Sequence, residues 1–176
     1  MPRNRHQSGS RALSLGTAWE DIIEQHLTAW RSQGRVLDFT RYGIQAKMTR
    51  SGLVATGTIG VPDFEALTPA ASFRFEAKHS SAERWKLSEV QPAQAARLTR
   101  WHRPEARCVA GVALRYVVPA RGLQRTLWLD WGWLGPRWAA WSAGAAEKGW
   151  ATLGVEQAEA SGVPWSVDVF ETGRST

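Results

Sequence analysis

The sequence has 176 residues, which is enough for one domain with a sizeable core and too few for two full domains. With 43% hydrophobic and 22% charged residues its composition is that of a globular protein, and no apolar run approaches the roughly 20 residues of a membrane-spanning helix. The single cysteine, Cys108, excludes an intramolecular disulfide and a cysteine-based zinc site. The N-terminus lacks the apolar core of a secretory signal, so we expect a cytoplasmic protein.

The charge of the chain favours a polyanionic partner. The formal net charge is +6 and the sequence pI is about 10.2, a balance typical of proteins that bind nucleic acids. Residues 1–150 carry 21 basic and 12 acidic side chains, whereas residues 151–176 carry one and four. Arginine provides 18 of the 22 basic residues, and its planar fork pairs with phosphate oxygens, although a GC-rich genome also favours arginine codons. The basic charge therefore belongs to the body of the chain and not to its tail.

The first strongly periodic segment predicts an amphipathic helix. Residues 17–20 read Thr-Ala-Trp-Glu, a capping-box pattern that places the helix start at Thr17, and Gly34 marks its end. The mostly apolar side chains of the buried face recur at helical spacing; they are Trp19, Ile22, Ile23, His26, Leu27 and Trp30. The basic, aperiodic residues 1–14 are interpreted as a flexible arm or, equally, as a frayed terminus.

The middle of the chain predicts strands. Residues 42–60 alternate in polarity around a turn at 50–52, which predicts a protruding β-ribbon. A short strand is predicted to end at 62–64, and a clear strand is predicted over 72–78.

A second helix and two more strands follow. The helix is predicted to start at Ser88 or Gln91 and to run to about His102, because proline is tolerated in a first helical turn. Residues 109–118 form a continuous apolar run that predicts a buried central strand, and residues 125–131 predict one further strand. The order of helices and strands predicts one mixed α/β domain over residues 15–176.

The C-terminal part of the chain, about residues 125–176, is rich in tryptophan. It holds Trp128, Trp131, Trp133, Trp138, Trp141, Trp150 and Trp165. Large aromatic side chains most often fill a core or an oligomer interface, and a platform for stacking bases is the less frequent alternative.

The residues that carry chemistry are two carboxylates and a lysine. The sequence contains no Walker phosphate loop, dinucleotide fingerprint, Gly-x-Ser-x-Gly elbow or His-Glu-x-x-His helix. Alternation along the strand at 72–78 places Arg74, Glu76 and Lys78 on the face opposite its apolar residues. If Asp63 ends the neighbouring strand, then Asp63, Glu76 and Lys78 converge at one edge of the sheet.

This grouping suits phosphodiester hydrolysis assisted by Mg²⁺. Two carboxylates bind Mg²⁺ through hard oxygens, the ion lowers the pKa of a bound water, and a lysine orients that water. The simpler interpretation is a surface Glu76–Lys78 pair unrelated to Asp63. Gln94 interrupts the apolar stripe of the second helix and needs polar partners. Glu20 serves the capping box, the metal site or both together.

Taken in chain order, these residues resemble the motifs of a known superfamily. Residues 62–64 (Pro-Asp-Phe), residues 75–79 (Phe-Glu-Ala-Lys-His) and Gln94 are similar to the motifs of the PD-(D/E)xK nucleases. Within that superfamily the chain is most similar to RecU-type Holliday junction resolvases. Those proteins begin with a helix that bears a glutamate after a glycine, as in residues 16–20, and carry an extended stalk where residues 42–59 lie. The resemblance covers roughly residues 14–118.

The resemblance implies a restriction-endonuclease-like α/β fold, in which helices flank a mixed central sheet and a ribbon protrudes as a stalk. It implies a Mg²⁺-dependent endonuclease, with Mn²⁺ as a substitute and no organic cofactor or membrane partner. Such an enzyme resolves four-way DNA junctions as a homodimer in recombination and repair, in a bacterial or virus-infected bacterial cell. Two-fold symmetry of a dimer suits the near two-fold symmetry of a four-way junction.

The resemblance also implies roles for individual residues. Asp63 and Glu76 would bind the metal ion with support from Glu20, Lys78 would position the nucleophilic water, and Gln94 would hold a ligand or water in place.

DNA would be recognised by shape and phosphates, through Arg41, Lys47 and Arg50 on the ribbon. Two alternatives stay open. One is a restriction- or repair-type endonuclease of the same superfamily that cleaves ordinary duplex, and the other is a basic DNA-binding protein without catalysis.

Overall fold

The computed structural model describes the backbone of residues 6–42, 45–49, 52–56, 61–145 and 151–172, and the side chains of residues 17–42, 61–145 and 151–171. The helices in these ranges are α1 His6–Ser32, α2 Pro92–Trp101, α3 Trp131–Ser142, α4 Val155–Ser161 and α5 Asp168–Thr172. Short 3₁₀ helices cover Leu87–Glu89, Pro104–Ala106 and Pro119–Arg121. In the described part of the chain, no helix has both the length and the apolar character needed to cross a membrane.

The strands are short apart from three long ones near the middle of the chain. They are β1 Asp38–Arg41, β2 Gln45–Thr49, β3 Gly52–Thr56, β4 Phe64–Leu67, β5 Ser72–Ser80, β6 Arg84–Lys86, β7 Cys108–Val118, β8 Leu123–Asp130, β9 Thr152–Gly154 and β10 Val163–Pro164.

Six of these strands form a mixed central sheet in the order β1-β4-β5-β7-β8-β10. β5 and β7 pair in parallel, and the other neighbours pair antiparallel. One core cluster joins α1 and α5 to one face of the sheet, and a second joins α2, α3 and α4 to the other face. The prediction of an α/β fold with helices flanking a mixed central sheet is therefore confirmed.

β7 lies inside the sheet because its apolar residues serve both faces. Side chains alternate between the two faces of a strand. Val112 and Leu114 belong to the core cluster with α2 and α3, whereas Val109 and Ala113 belong to the cluster with α1. A strand buried on both faces has a continuous apolar sequence, so the predicted central strand is confirmed.

The predicted start of the first helix at Thr17 is wrong, because α1 begins at His6. Thr17 and Glu20 lie inside the helix, so this capping-box sequence does not cap its N-terminus. Threonine and glutamate each cost less than about 1 kcal/mol inside a helix, so the pattern does not exclude a helix that starts earlier. Residues 6–14 of the predicted arm are helical, and residues 1–5 lie outside the described residues.

The rest of α1 agrees with its apolar pattern. Trp19, Ile23 and Leu27 are buried against the sheet, although His26 is more exposed than the pattern predicts. After Ser32 the chain turns at Gly34, whose φ of 73° lies in the left-handed region that glycine adopts without strain. The predicted end of the helix is thus confirmed.

β2 and β3 form a separate antiparallel pair in which Thr49 lies opposite Gly52. This pairing confirms a hairpin within the predicted ribbon. The side chains of residues 43–60 lie outside the described residues, so the protrusion of the ribbon stays a prediction.

Of the C-terminal tryptophans that the structure describes, two lie in the core and the others pack against it. Trp128 and Trp131 are buried, one in each core cluster. The indole of Trp131 donates to Thr99 Oγ1 over 2.9 Å, and that of Trp138 donates to the carbonyl of Val90 over 3.0 Å. These contacts link α3 to α2 and to Val90, which precedes α2. Trp150 lies outside the described residues.

We expect Gly111→Ala to destabilise the protein, because β7 and β8 leave no room for a methyl group at this position. A Cβ atom at residue 111 would lie 2.4 Å from the Trp128 ring and 2.7 Å from the carbonyl oxygen of Leu129. The expected loss is about 1–3 kcal/mol in the free energy of unfolding measured in urea. Gly154→Ala, whose Cβ would meet only Gln157 at 3.6 Å, is the matched control. Equal stability of the two variants would contradict this account.

Candidate active site

Asp63 lies beside β5 because it immediately precedes β4, which pairs antiparallel with β5. Phe64 at the start of β4 lies opposite Phe75, so Asp63 reaches the next part of β5. Its Oδ2 accepts a hydrogen bond of 2.8 Å from the backbone N–H of Ala77. The expectation that Asp63 ends a strand is therefore wrong, yet Asp63 and Glu76 still lie within interaction range of each other.

Glu76 is a buried carboxylate held by a lysine and an amide. Only 1% of the residue is exposed. Its Oε2 accepts a hydrogen bond from Gln94 Nε2 and lies 3.4 Å from Lys78 Nζ. Lys78 Nζ also donates to Gln94 Oε1 over 3.4 Å. Glu76, Lys78 and Gln94 therefore form one mutually bonded group.

Gln94 takes its position from the start of α2. The helix begins after Gln91, and Gln94 Oε1 accepts a 3.0 Å hydrogen bond from the Gln91 backbone N–H. The amide therefore caps the helix and bonds to Glu76 and Lys78 at once. The prediction that Gln94 needs polar partners on an apolar face agrees with these contacts.

The surroundings of Glu76 favour its protonated form in the absence of a cation. Burial raises the pKa of Glu76 to about 8, and the charge of Asp63 adds to this effect, while Lys78 acts in the opposite direction. Two carboxylates that repel each other at a buried edge are stabilised by a proton or by a cation. Binding of a cation at this site would therefore be favourable.

Glu20 stands on α1, at the outer side of the Asp63–Glu76 pair. Partial burial raises the pKa of Glu20, and the charge of Asp63 raises it further, against the opposing effect of Arg41. Glu20 Oε2 accepts a hydrogen bond of 3.0 Å from Arg41 Nη2. The structure therefore places Glu20 within the electrostatic range of Asp63 and leaves its role at the metal site as a prediction.

Arg41 ends β1 in the central sheet and does not belong to the ribbon, contrary to the expectation from the sequence. Its Nη1 donates to Asp21 and Glu24, each over 2.7 Å, in addition to the bond to Glu20. Three carboxylates of α1 thus hold this guanidinium, which positions Glu20 and fastens α1 to β1. This role of Arg41 was not predicted, and its only signal in the sequence is the acidic spacing at 20, 21 and 24.

The other two predicted DNA contacts are placed only in part. Lys47 lies on β2, and its side chain is outside the described residues. Arg50 lies outside them altogether. Both stay predictions.

The donor set at this edge fits Mg²⁺. Within the described side chains no group of three or more His, Cys, Asp or Glu residues is arranged to hold a metal ion. Mg²⁺, however, is usually bound by one or two carboxylates and completes its shell with waters and substrate phosphates. Asp63 and Glu76 supply two such carboxylates. Burial, and after it the charge of Asp63, raises the pKa of Glu76, and a cation would offset both effects.

Comparisons with known proteins give two negative results and a distant structural match. No protein-family model and no curated protein matches the sequence. A solved structure that is similar is that of Hjc from Archaeoglobus fulgidus, a Holliday junction resolvase from an archaeal hyperthermophile. The match covers 90% of this chain and 100% of that chain, at 11% identity and a TM-score of 0.46.

We expect the stability of the metal-free protein to fall as the pH rises from about 4.5 to about 8. The folded state keeps a proton on Glu76 up to a pKa of about 8, whereas the unfolded chain releases it near the ordinary value of 4.5. The stability gained from this proton is complete below pH 4.5 and is lost as the pH passes through 8. Glu76→Gln should remove most of this dependence and be more stable than the wild type at pH 9.

The measurement is urea unfolding in EDTA at pH 5, 7 and 9. Glu156→Gln changes an exposed carboxylate on α4 and should follow the wild-type curve. Parallel pH profiles of the wild type and Glu76→Gln would show that Glu76 has no raised pKa.

Proposed function

We propose that this protein is a Mg²⁺-dependent DNA endonuclease of the PD-(D/E)xK superfamily that cleaves four-way junctions. The observation that carries the proposal is the bonded group of Glu76, Lys78 and Gln94 beside Asp63. Its members are the residues that the sequence motifs single out, and they come from β5, α2 and the start of β4. A solvent-facing Glu–Lys pair would not need a buried carboxylate, so burial of Glu76 to 1% exposure weighs against the purely DNA-binding alternative.

Each residue of the site has a separate task. Asp63 and Glu76 would hold the ion, and Mg²⁺ when bound would neutralise charge on the phosphate and acidify a water. Lys78 Nζ, already held near the edge by Glu76 and Gln94, would donate a hydrogen bond to the attacking water and orient it. Gln94 would keep the Glu76 carboxylate in one orientation. Glu20, fixed by Arg41, would assist on the α1 side.

The basic character of the protein supports a DNA substrate. The net charge of +6 attracts the phosphate backbone without regard to sequence. Lys47 and Arg50 on the ribbon would add contacts at the junction centre, and Mn²⁺ would substitute for Mg²⁺. Assembly as a homodimer would place two sites on opposed strands of the junction.

The function is tested with a labelled four-way junction and a linear duplex of the same sequence, each incubated with Mg²⁺ or with EDTA. Mg²⁺-dependent cleavage with a preference for the junction in competition is the expected result. Equal cleavage of both substrates would favour a duplex endonuclease. Binding of the junction without any cleavage would favour the non-catalytic alternative.

We expect Asp63→Asn to lose cleavage by about 100-fold or more while junction binding persists, because the substitution keeps the shape of the side chain and removes one charge from the metal site. Cleavage is followed by single-turnover kinetics and binding by fluorescence anisotropy. Asp38→Asn, at an exposed carboxylate on β1, is the matched control and should cleave at the wild-type rate. Near wild-type cleavage by Asp63→Asn would remove this residue from the site.

We expect light scattering to report about twice the chain mass of 19.5 kDa, because paired cuts on a two-fold junction need two sites. The measurement is made at micromolar concentration with and without junction DNA. A monomer that still cuts both strands in concert would contradict the symmetric arrangement.

A further inference from the structure

A basic cleft opens beside Glu76 on the side of the sheet covered by α2. It has a volume of about 210 Å³, and its charged lining residues are Arg74, Arg97, Arg100 and Glu76. The lining holds three guanidinium groups and one carboxylate, and it stays net positive when the Glu65 partner of Arg74 is counted. Glu76 belongs both to this cleft and to the candidate metal site, which makes the two continuous.

Arg74 is held in place at one wall of the cleft. Its guanidinium carbon lies 3.4 Å from the centroid of the Trp101 ring, and it forms an ion pair with Glu65. Glu65 in turn accepts a hydrogen bond of 2.9 Å from the Tyr42 hydroxyl. An arginine fixed by stacking and by an ion pair loses little entropy when it binds a ligand.

The other wall is one side of α2. Gln94, Arg97 and Arg100 follow at intervals of three residues and so lie along neighbouring turns of the helix. Gln94 touches Glu76, and the far end of α2 touches Arg74 through Trp101. The start of α2 therefore lies at Glu76 and its end lies at Arg74, which precedes Glu76 on β5, so the helix and the strand run in opposite directions. The cleft extends from Glu76 toward Arg74 between them.

A larger cleft elsewhere in the described residues lacks this charge. It has a volume of about 640 Å³ and is lined by three arginines and three glutamates. Two of its arginines are paired, Arg121 with Glu83 over 2.9 Å and Arg125 with Glu159 over 2.6 Å. A balanced lining of this kind does not attract phosphate, so size alone does not identify the DNA-binding surface.

We propose that the cleft beside Glu76 binds a backbone phosphate of the cleaved DNA strand, next to the scissile phosphodiester, through Arg97 and Arg100 with Arg74 as a fixed wall. This inference rests on the proposed nuclease function and names a surface separate from the ribbon. Arginine forks bind phosphate oxygens through two parallel hydrogen bonds. The cleaved DNA strand would therefore run along α2 into the catalytic site, and the phosphate next to the scissile one would be bound before cleavage.

The test compares the salt dependence of junction binding by the full chain in EDTA. The probe is a fluorescently labelled four-way junction, titrated between 50 and 200 mM KCl. Removing one arginine that binds a phosphate lowers the log–log slope by roughly one unit, so Arg97→Ala with Arg100→Ala should lower it by roughly two units for each bound protomer. The affinity at 100 mM KCl should fall by about tenfold or more.

The matched control is Arg121→Ala with Arg125→Ala, which removes the same charge at the larger cleft. Its slope should equal that of the wild type, whereas an equal fall in both double variants would overturn the proposed subsite and leave a general charge effect. Arg100→Glu, at an exposed position, provides a single substitution if the double variant does not fold, and it should also lower the slope. An unchanged slope in Arg100→Glu or in the Arg97, Arg100 double variant would overturn the inference.

Neutral methylphosphonates placed one at a time near the cleavage position locate the bound phosphate. At one position beside the scissile phosphate the wild type should bind more weakly, while the affinity of the double variant should not fall further. Weaker binding by both proteins at every position would overturn the placement. A wild type that cleaves junctions but shows no such position overturns this inference alone, whereas a wild type that neither binds nor cleaves DNA overturns the proposed function as well.

Discussion

The burial of the Glu76 carboxylate is the constraint on which the rest of the site depends. A carboxylate with 1% exposure costs several kcal/mol to remove from water unless polar partners compensate. Here the compensation comes from Lys78 on the same strand and from Gln94 on α2. The start of α2 is consequently tied to the middle of β5. Gln94 both bonds to Glu76 and caps α2, because it also accepts a hydrogen bond from the backbone of Gln91.

Near the site, the two faces of the sheet carry different charges. On the α1 face, Arg41 is surrounded by three carboxylates and holds Glu20 toward Asp63. On the α2 face, arginines outnumber carboxylates beside Glu76. Under the proposed function, the second face would attract a phosphate backbone and the acidic cluster on the first would repel it. The carboxylates at the edge lie between the two, where a cation and a phosphate would meet.

The two core clusters provide the rigid support for this edge. β7 separates the clusters and pairs with both β5 and β8, so β5 is fixed by a neighbouring strand along its whole length. Trp19 of α1 donates its indole N–H to the carbonyl of Ala113 on β7 over 3.0 Å, which holds the helix that carries Glu20. Packed elements of this kind keep catalytic groups in place better than loops do.

The sequence by itself determined those features that follow from local periodicity. The continuous apolar run of β7, the alternation of β5 and the apolar stripe of α2 each define which side chains share a face, because strand and helix geometry repeat every two or 3.6 residues. These patterns placed Glu76 beside Lys78 and identified Gln94 as a polar residue in need of partners. The hairpin of β2 and β3 was predicted for the same reason.

Only the tertiary structure decided which distant elements meet. Asp63 reaches Ala77 because β4 runs antiparallel to β5, and Arg41 binds α1 because β1 is the edge strand beneath that helix. Periodicity contains no information on strand order, so the sequence assigned Arg41 to the ribbon. The start of α1 at His6 was missed because a capping-box pattern also fits a helix interior. The basic cleft was missed for a related reason. Arg74 lies on β5, whereas Arg97 and Arg100 lie on α2, 23 and 26 residues later in the sequence. Only the packing of the helix on the sheet brings the three arginines to one surface.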